Sequence, residues 1–293
     1  MNKAVIRWSG SKRGQADKIV KYFPNDIDTY YEPFVGGASV LVELLSQNTI
    51  NIKNYSVSDI NSYLIGFYNL LVHDVDHLYR VYCDNWNYVN SVESDSDKNL
   101  RYLQIRDRFN KSKDSADFFF ITKTCYTGLI RYNSSGDFNV GYHYGRCGEK
   151  PESVLKILHM YSELFNMFNV SFTCRDFSNI EPCESDFVYF DPPYAETKKT
   201  MYSGDFSHDR FYSFCKSLQC KYAISFNGQT GDNDRFTKIP NDLYTDRIDI
   251  VAGRSFRSGY KIKDNATTKT FDSLYINYGR DCFVGRDAAR RLF

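Results

Sequence analysis

The apolar run Phe187-Val188-Tyr189-Phe190 passes directly into Asp191-Pro192-Pro193-Tyr194. The run has the composition of a strand. Two successive prolines fix the backbone and remove two N–H donors, so the Pro192 carbonyl is held rigidly beside the Asp191 carboxylate. A pair of acceptors at a strand end suits an exocyclic amine on a planar ring. One N–H would go to Asp191, the other to the Pro192 carbonyl, and the ring would stack on Tyr194. The plainer alternative is a rigid Pro-Pro turn with a capping aspartate.

A second candidate site lies upstream, where Glu32-Pro33-Phe34-Val35-Gly36-Gly37-Ala38-Ser39 follows a strand-like run and opens a helical one. Glycine there permits a sharp turn and close approach to a ligand, and the helix start offers N–H groups. Neither G-x-G-x-x-G nor G-x-x-x-x-G-K-[ST] occurs, which disfavours dinucleotide and P-loop readings. Asp59 ends the next strand, where a carboxylate accepts ribose hydroxyls in nucleoside-binding α/β folds. It could equally cap a helix starting near Asn61.

The elements that must position these residues form an α/β pattern. Strands are expected at 29–34, 55–59, 170–174, 187–190, 222–226, 247–251 and 273–278. Residues 38–46 and 209–220 have helical spacing and sit between strand pairs, the mark of parallel βαβ units. Seven such strands suggest an open, doubly wound sheet with ligands at the strand carboxyl ends. Residues 60–125 are helical in pattern (60–71, 99–110, 116–123), apart from 91–97 (SVESDSD), a surface loop by composition. They lead into 126–148, rich in Gly, Asn, Tyr and Arg, which is expected to be a loop or hairpin facing a partner. The domain division is therefore 1–66 with 166–293, interrupted by an insert at 67–165.

Composition limits the classes available. A chain of 293 residues, 42% hydrophobic and 25% charged, can bury a large core, which excludes disordered and fibrous proteins. A net charge of +1 argues against a purely electrostatic nucleic-acid or membrane binder, although residues 1–24 hold six basic side chains against Asp17 alone. No long apolar run and no leader pattern are present, so neither a membrane span nor a signal peptide is expected. The 8 cysteines form no C-x-x-C pair and the 5 histidines no metal-ligand spacing; free thiols in a reducing cytoplasm and no metal are expected. Aromatic residues make up 17% of the chain, an excess that belongs to the core or to stacking surfaces.

Taken together, these motifs resemble those of the Dam-like DNA adenine-N6 methyltransferases, the D12 or α-class. The resemblance rests on Trp8-Ser9-Gly10-Ser11-Lys12, Glu32 through Ser39, Asp59-Ile60-Asn61, Gly128-Leu129-Ile130-Arg131-Tyr132-Asn133, Gly136-Asp137-Phe138-Asn139 and Asp191 through Tyr194, in the α-class order. It covers most of the chain. It implies a Rossmann-like seven-stranded methyltransferase sheet with an inserted, mainly helical target-recognition domain carrying a hairpin. It implies S-adenosylmethionine as cofactor, with Trp8, Lys12, Phe34, Gly36, Asp59 and Asp191 around it, and Asp191, Pro192 and Tyr194 as the catalytic group. Arg131 would read a guanine edge, Tyr126, Thr127 and Leu129 would lie at or between bases, and Tyr132 and Asn133 would shape the turn. A monomer acting on double-stranded DNA in the cytoplasm, possibly at GATC, completes the expectation.

The pattern is not matched throughout. The glycine loop ends Gly-Gly-Ala rather than Gly-Ala-Gly, Thr127 stands where Dam has Asn, and VGYHYGRCGEK (140–150) departs from the Dam pattern, so the target sequence is open. Asp191 favours adenine over cytosine, whose enzymes usually carry Ser there. RNA methylation and a non-catalytic DNA-binding role remain the alternatives.

Overall fold

A computed structural model describes residues 3–128, 130–144, 148–193, 206–230, 233–234, 239–254 and 269–282. Its sheet is built from β1 (Asp26–Glu32), β2 (Asn51–Asp59), β3 (Ser171–Cys174), β4 (Phe187–Phe190), β5 (Lys221–Thr230), β7 (Asp246–Arg254) and β8 (Lys269–Ile276), with the short β6 (Asn233–Asp234) against β5. The order is β3-β2-β1-β4-β5-β8-β7. The first five are parallel neighbours, while β8 runs antiparallel to both β5 and β7. This is the seven-stranded, Rossmann-like α/β sheet expected from the sequence. Strand order reverses between β1 and β4, and a crevice opens at such a switch point, beyond the strand carboxyl ends.

All four residues of β4 are buried, as befits a central parallel strand covered on both faces. Its start is held to β1 by Asp186, which accepts the Thr29 N–H at 2.9 Å and the Cys183 N–H at 2.7 Å. Several strands run longer than their apolar cores suggest. β5 continues to Thr230 and β2 begins at Asn51, because strand length is set by ladder pairing and not by apolarity alone. Two strands are displaced instead: β1 ends at Glu32 rather than residue 34, and β8 at Ile276 rather than 278.

The helices are α1 (Ala16–Ile19), α2 (Ser39–Gln47), α3 (Ser62–His73), α4 (Val75–Asn90), α5 (Asp95–Ser112), α6 (Ser115–Thr124), α7 (Pro151–Met167) and α8 (His208–Ser217). The loop expected at 91–97 is shorter, because α5 starts at Asp95. Ser94 caps it, accepting the Asp97 N–H at 3.0 Å, and Asp95 and Asp97 in the first turn suit the helix dipole. The helix expected at 209–220 ends at Ser217, with Leu218 already extended.

Between β2 and β3 lie α3 to α7 and the loop expected at 126–148. The 67–165 division starts inside α3 and ends inside α7. One buried cluster runs from sheet residues such as Tyr30 and Val57 into Phe118, Phe119 and Phe138 of this region. α3 carries that continuity. Tyr68 stacks on Phe172 of β3 at 4.6 Å, and Phe67 stacks on Phe119 of α6 at 4.9 Å. Among the described residues no helix is long and apolar enough to cross a membrane, and the described cysteines are free thiols.

Gly66 lets α3 and α6 close on each other. A Cβ there would stand 2.1 Å from Ser115 Oγ and 3.0 Å from its Cβ. Gly66→Ala should therefore cost roughly 1–2 kcal/mol, the scale of overpacking, despite alanine's better helix propensity. Adding Ser115→Gly should restore the loss in urea titrations; a more stable single variant would refute the close contact.

Candidate active site

The switch-point crevice is a cavity of about 480 Å³, within the usual range for small-molecule sites. Trp8, Lys12, Phe34, Gly36, Asp59, Asp191 and Pro192 all line it. Residues far apart in sequence converge because β1, β2 and β4 end side by side.

The glycine turn is shaped by its neighbours. Gly36 has φ +46°, and Ala38 follows at +54° before α2 begins. A Cβ on Gly36 would lie 2.8 Å from Trp8 Cδ1 and 2.9 Å from its Nε1, so the indole occupies the space that a side chain would need. Tyr68 donates to the Gly36 carbonyl at 2.8 Å, and Val35 N–H to Ser58 O at 3.1 Å.

Asp59 faces this turn. It accepts the Gly36 N–H at 3.1 Å and the Asn61 N–H at 3.0 Å. The cap of α3 is Asn61, not Asp59: Asn61 Oδ1 accepts from Tyr63 N and Leu64 N. That removes the capping alternative and leaves the Asp59 carboxylate at the cavity wall. Burial raises its pKa to about 6, against the pull of the backbone donors of Asn61, Gly36 and Ile60.

At the end of β4, Lys12 Nζ pairs with Asp191 Oδ1 at 2.8 Å. Lys12 is 3% exposed. Burial, the largest single influence, lowers its pKa, but the Asp191 charge and hydrogen bond together with the nearby Tyr189 and Asp272 outweigh it, and the net direction is upward. The Lys12 N–H also donates to Ser39 Oγ at the start of α2, at 3.1 Å. Beneath this pair is Glu32, 2% exposed, which takes the Tyr30 hydroxyl at 2.7 Å. Burial, with a contribution from the Asp191 charge, raises the Glu32 pKa to about 8 despite that hydrogen bond. Glu32 is thus mainly protonated at neutral pH.

Several lining residues were not singled out in the sequence. Phe177 stacks on Phe34 at 5.5 Å, and Asp176 pairs bidentately with Arg210 at 2.6 and 3.2 Å. Arg175 and Phe206 complete this side. Arg175, Asp176 and Phe177 are the three residues after β3, so the strand-end rule that pointed to Asp59 could have found them too. Arg210, on α8, carries no such signal.

The DNA-reading candidates lie apart from the cavity, on the segment after α6. The expected hairpin is an irregular one, closed by isolated bridges at Cys125–Tyr142 and Tyr132–Phe138. Tyr126 is 58% exposed and stacks on His143 at 5.3 Å. Thr127 has φ +58° and is exposed, and Arg131 is exposed. Asn133 holds the turn, its Oδ1 accepting the N–H groups of Ser135 at 2.9 Å and Asp137 at 2.8 Å. Tyr132 is buried, and its hydroxyl accepts from Asn61 Nδ2 at 3.3 Å, which ties the hairpin to the Asp59 corner. Tyr194 and Leu129 lie outside the described residues.

A sheet of this order, with carboxyl groups at three neighbouring strand ends and a glycine turn between two of them, is the Rossmann-like methyltransferase arrangement that the sequence motifs imply. The profile of the D12 class N6 adenine-specific DNA methyltransferases matches residues 8–256. The chain is 35% identical to type II methyltransferase M.MjaIII of Methanocaldococcus jannaschii, over 94% of this chain and 99% of that protein. It is 31% identical to the DNA adenine methylase of Escherichia coli (strain K12), over 68% and 67%, and 29% identical to that of Haemophilus influenzae, over 83% of each. Among solved structures, an rRNA methyltransferase from Streptomyces viridochromogenes aligns with 94% of this chain and 90% of its own, at 13% identity and a TM-score of 0.37. The chain belongs to the D12 class of N6 adenine-specific DNA methyltransferases.

Two outcomes follow from this geometry. Gly36→Ala should displace the Trp8 indole, shifting the emission of one of only 2 tryptophans and lowering Tm; an unchanged spectrum would contradict the contact. Glu32 has a folded-state pKa above the ordinary glutamate value of 4.5, so the unfolded state loses the proton first as pH rises. Stability should therefore fall between pH 4.5 and about 8 and level off above it. Glu32→Gln should flatten that fall and stabilise the protein at pH 8 by several kcal/mol, each pK unit corresponding to about 1.4 kcal/mol. Parallel chevron or melt profiles for the two proteins across this window would count against a buried neutral carboxyl.

Proposed function

We propose that this chain transfers the methyl group of S-adenosylmethionine to the N6 amine of an adenine flipped out of duplex DNA, acting as a cytoplasmic monomer, with GATC as the first candidate target. The observation that carries this reading is the meeting of Lys12, Asp59, Asp191 and Pro192 in one cavity at the ends of three strands. The cavity's chemistry fits the cofactor. Asp59 can accept ribose hydroxyls, since a carboxylate has about four lone-pair sites and its backbone donors do not use them all. Phe34 and Phe177 form an aromatic wall for a purine, and Trp8 packs over the turn. When bound, the cofactor supplies an electrophilic methyl on a sulfonium.

The residues of the chain do the rest by positioning. An aromatic amine is a poor nucleophile because its lone pair is delocalised into the ring. Asp191 and the Pro192 carbonyl, accepting the two N–H hydrogens, favour a pyramidal nitrogen with a localised lone pair. Lys12 holds the Asp191 carboxylate in place through its Oδ1. Extruding a base from a duplex costs a few kcal/mol, and stacking on Tyr194 would offset roughly 1–3 kcal/mol of it.

Residues 67–165 are the proposed target-recognition insert, with Arg131 forked onto a guanine and Tyr126, Thr127, Leu129 and Asn133 against bases and backbone. Relatives named as DNA adenine methylases support DNA over RNA.

Asp191→Ala should abolish transfer of labelled methyl groups to duplex DNA while leaving the circular-dichroism spectrum unchanged. Substantial turnover by a folded Asp191→Ala protein would overturn the assignment. Sequencing that maps N6-methyladenine after incubation with the wild-type protein gives the target, and labelling of RNA in preference to duplex DNA would replace the substrate.

A further inference from the structure

We infer that Asn139 is a positioning residue that aims Arg131 at its base. The inference rests on the proposed reading that Arg131 contacts a guanine. Arg131 is exposed, and a side chain of such length would ordinarily sample many rotamers. Here its Nε donates to Asn139 Oδ1 at 2.9 Å, and the Asn139 N–H donates to the Arg131 carbonyl at 3.1 Å. The same residue thus holds both the backbone and the guanidinium. Because Nε–H can only donate, the contacting amide atom of Asn139 is its oxygen.

Asn139 is itself immobilised by its neighbours. Phe138 is buried, and Asn110 of α5 brackets it, donating to the Phe138 carbonyl at 3.1 Å and accepting its N–H at 2.9 Å. Val140 is buried as well, and its carbonyl takes the hydroxyl of Tyr102, also on α5, at 3.0 Å. The path runs from a packed helix to residues 138 and 140, then to Asn139, then to the guanidinium. With Nε committed to Asn139, the two terminal amino groups form the outward fork. That end-on geometry matches O6 and N7 of guanine in the major groove.

The test is a methylation profile across all single-base variants of the mapped target, for Arg131→Ala, Asn139→Ala, Asn139→Asp and the Arg131→Ala/Asn139→Ala pair. Asn139→Ala should lower discrimination at the base pair read by Arg131 by roughly tenfold, the scale of one hydrogen bond to a charged group. Discrimination elsewhere and thermal stability should stay close to wild type. Asn139→Asp keeps an oxygen acceptor for Nε and should keep the preference at that base pair. The double variant should discriminate no worse than Arg131→Ala. If Asn139→Ala instead weakens methylation of every sequence equally, or leaves discrimination intact while Arg131→Ala loses it, the positioning role is wrong and the base-reading role survives. If Arg131→Ala leaves the profile unchanged, the base-reading role fails and this inference with it.

Discussion

Asp59 ends β2 with its carboxylate held from two directions, by the N–H of Gly36 and the N–H of Asn61. Desolvation alone would drive such a group toward its neutral form. The backbone donors oppose this and keep its pKa near 6. The same residues serve other elements. Gly36 is pinned by the Tyr68 hydroxyl from α3 and leaves room for Trp8. Asn61 caps α3 and donates to Tyr132 at the root of the hairpin. Strand end, glycine turn, helix start and hairpin therefore share one set of hydrogen bonds, and a shift in any one of them displaces the others.

The end of β4 solves a different electrostatic problem. Lys12 and Asp191 form an ion pair whose cation is almost wholly buried. A buried pair of this kind stabilises a fold weakly, since desolvation cancels much of the attraction. A second ionised carboxylate beside it would compete for the single ammonium. Burial keeps Glu32 protonated instead, so it adds no second anion to the Lys12–Asp191 pair at neutral pH. Fixed charge in a water-poor crevice is what polar transition states require of an enzyme. The arrangement makes more sense as preparation for chemistry than as support for the fold.

Much of this is legible in the sequence. β4 was found at its true limits because a central parallel strand is apolar throughout, and the Asp191 turn could be placed from it. The Asp59 ambiguity was settled only by the structure, since an aspartate and an asparagine two residues apart are equally good caps on paper. α4 did not stand out as an element of its own. Its buried face, Leu78, Tyr82, Asn85 and Val89, has helical spacing but includes a polar residue, and much of the remaining surface is charged or polar. Asn85 belongs inside because it bonds Asp117 at 2.9 Å, a partner 32 positions away. Arg210 carries no signal in the sequence, and Asn139 stands in a matched motif without a role of its own, for the same reason: each acts through a partner that only the fold brings near.

The aromatic excess also has a structural meaning beyond filling space. The large, fully buried tyrosines Tyr30, Tyr68, Tyr82, Tyr102 and Tyr189 have hydroxyls that find partners within the core, such as Glu32, the Gly36 carbonyl and the Val140 carbonyl. A tyrosine can therefore join two layers by packing and by a directed bond at once. Tyr68 does so between α3 and the glycine turn, and Tyr102 between α5 and the hairpin. Aromatic stacking on both sides of α3 leaves no seam between sheet and helices at that helix. The hairpin side chains are consequently held relative to Asp191 by packed, hydrogen-bonded layers. Near-zero net charge is compatible with such a protein, because registry comes from these rigid contacts and attraction from local groups of basic residues, neither of which a whole-chain sum records.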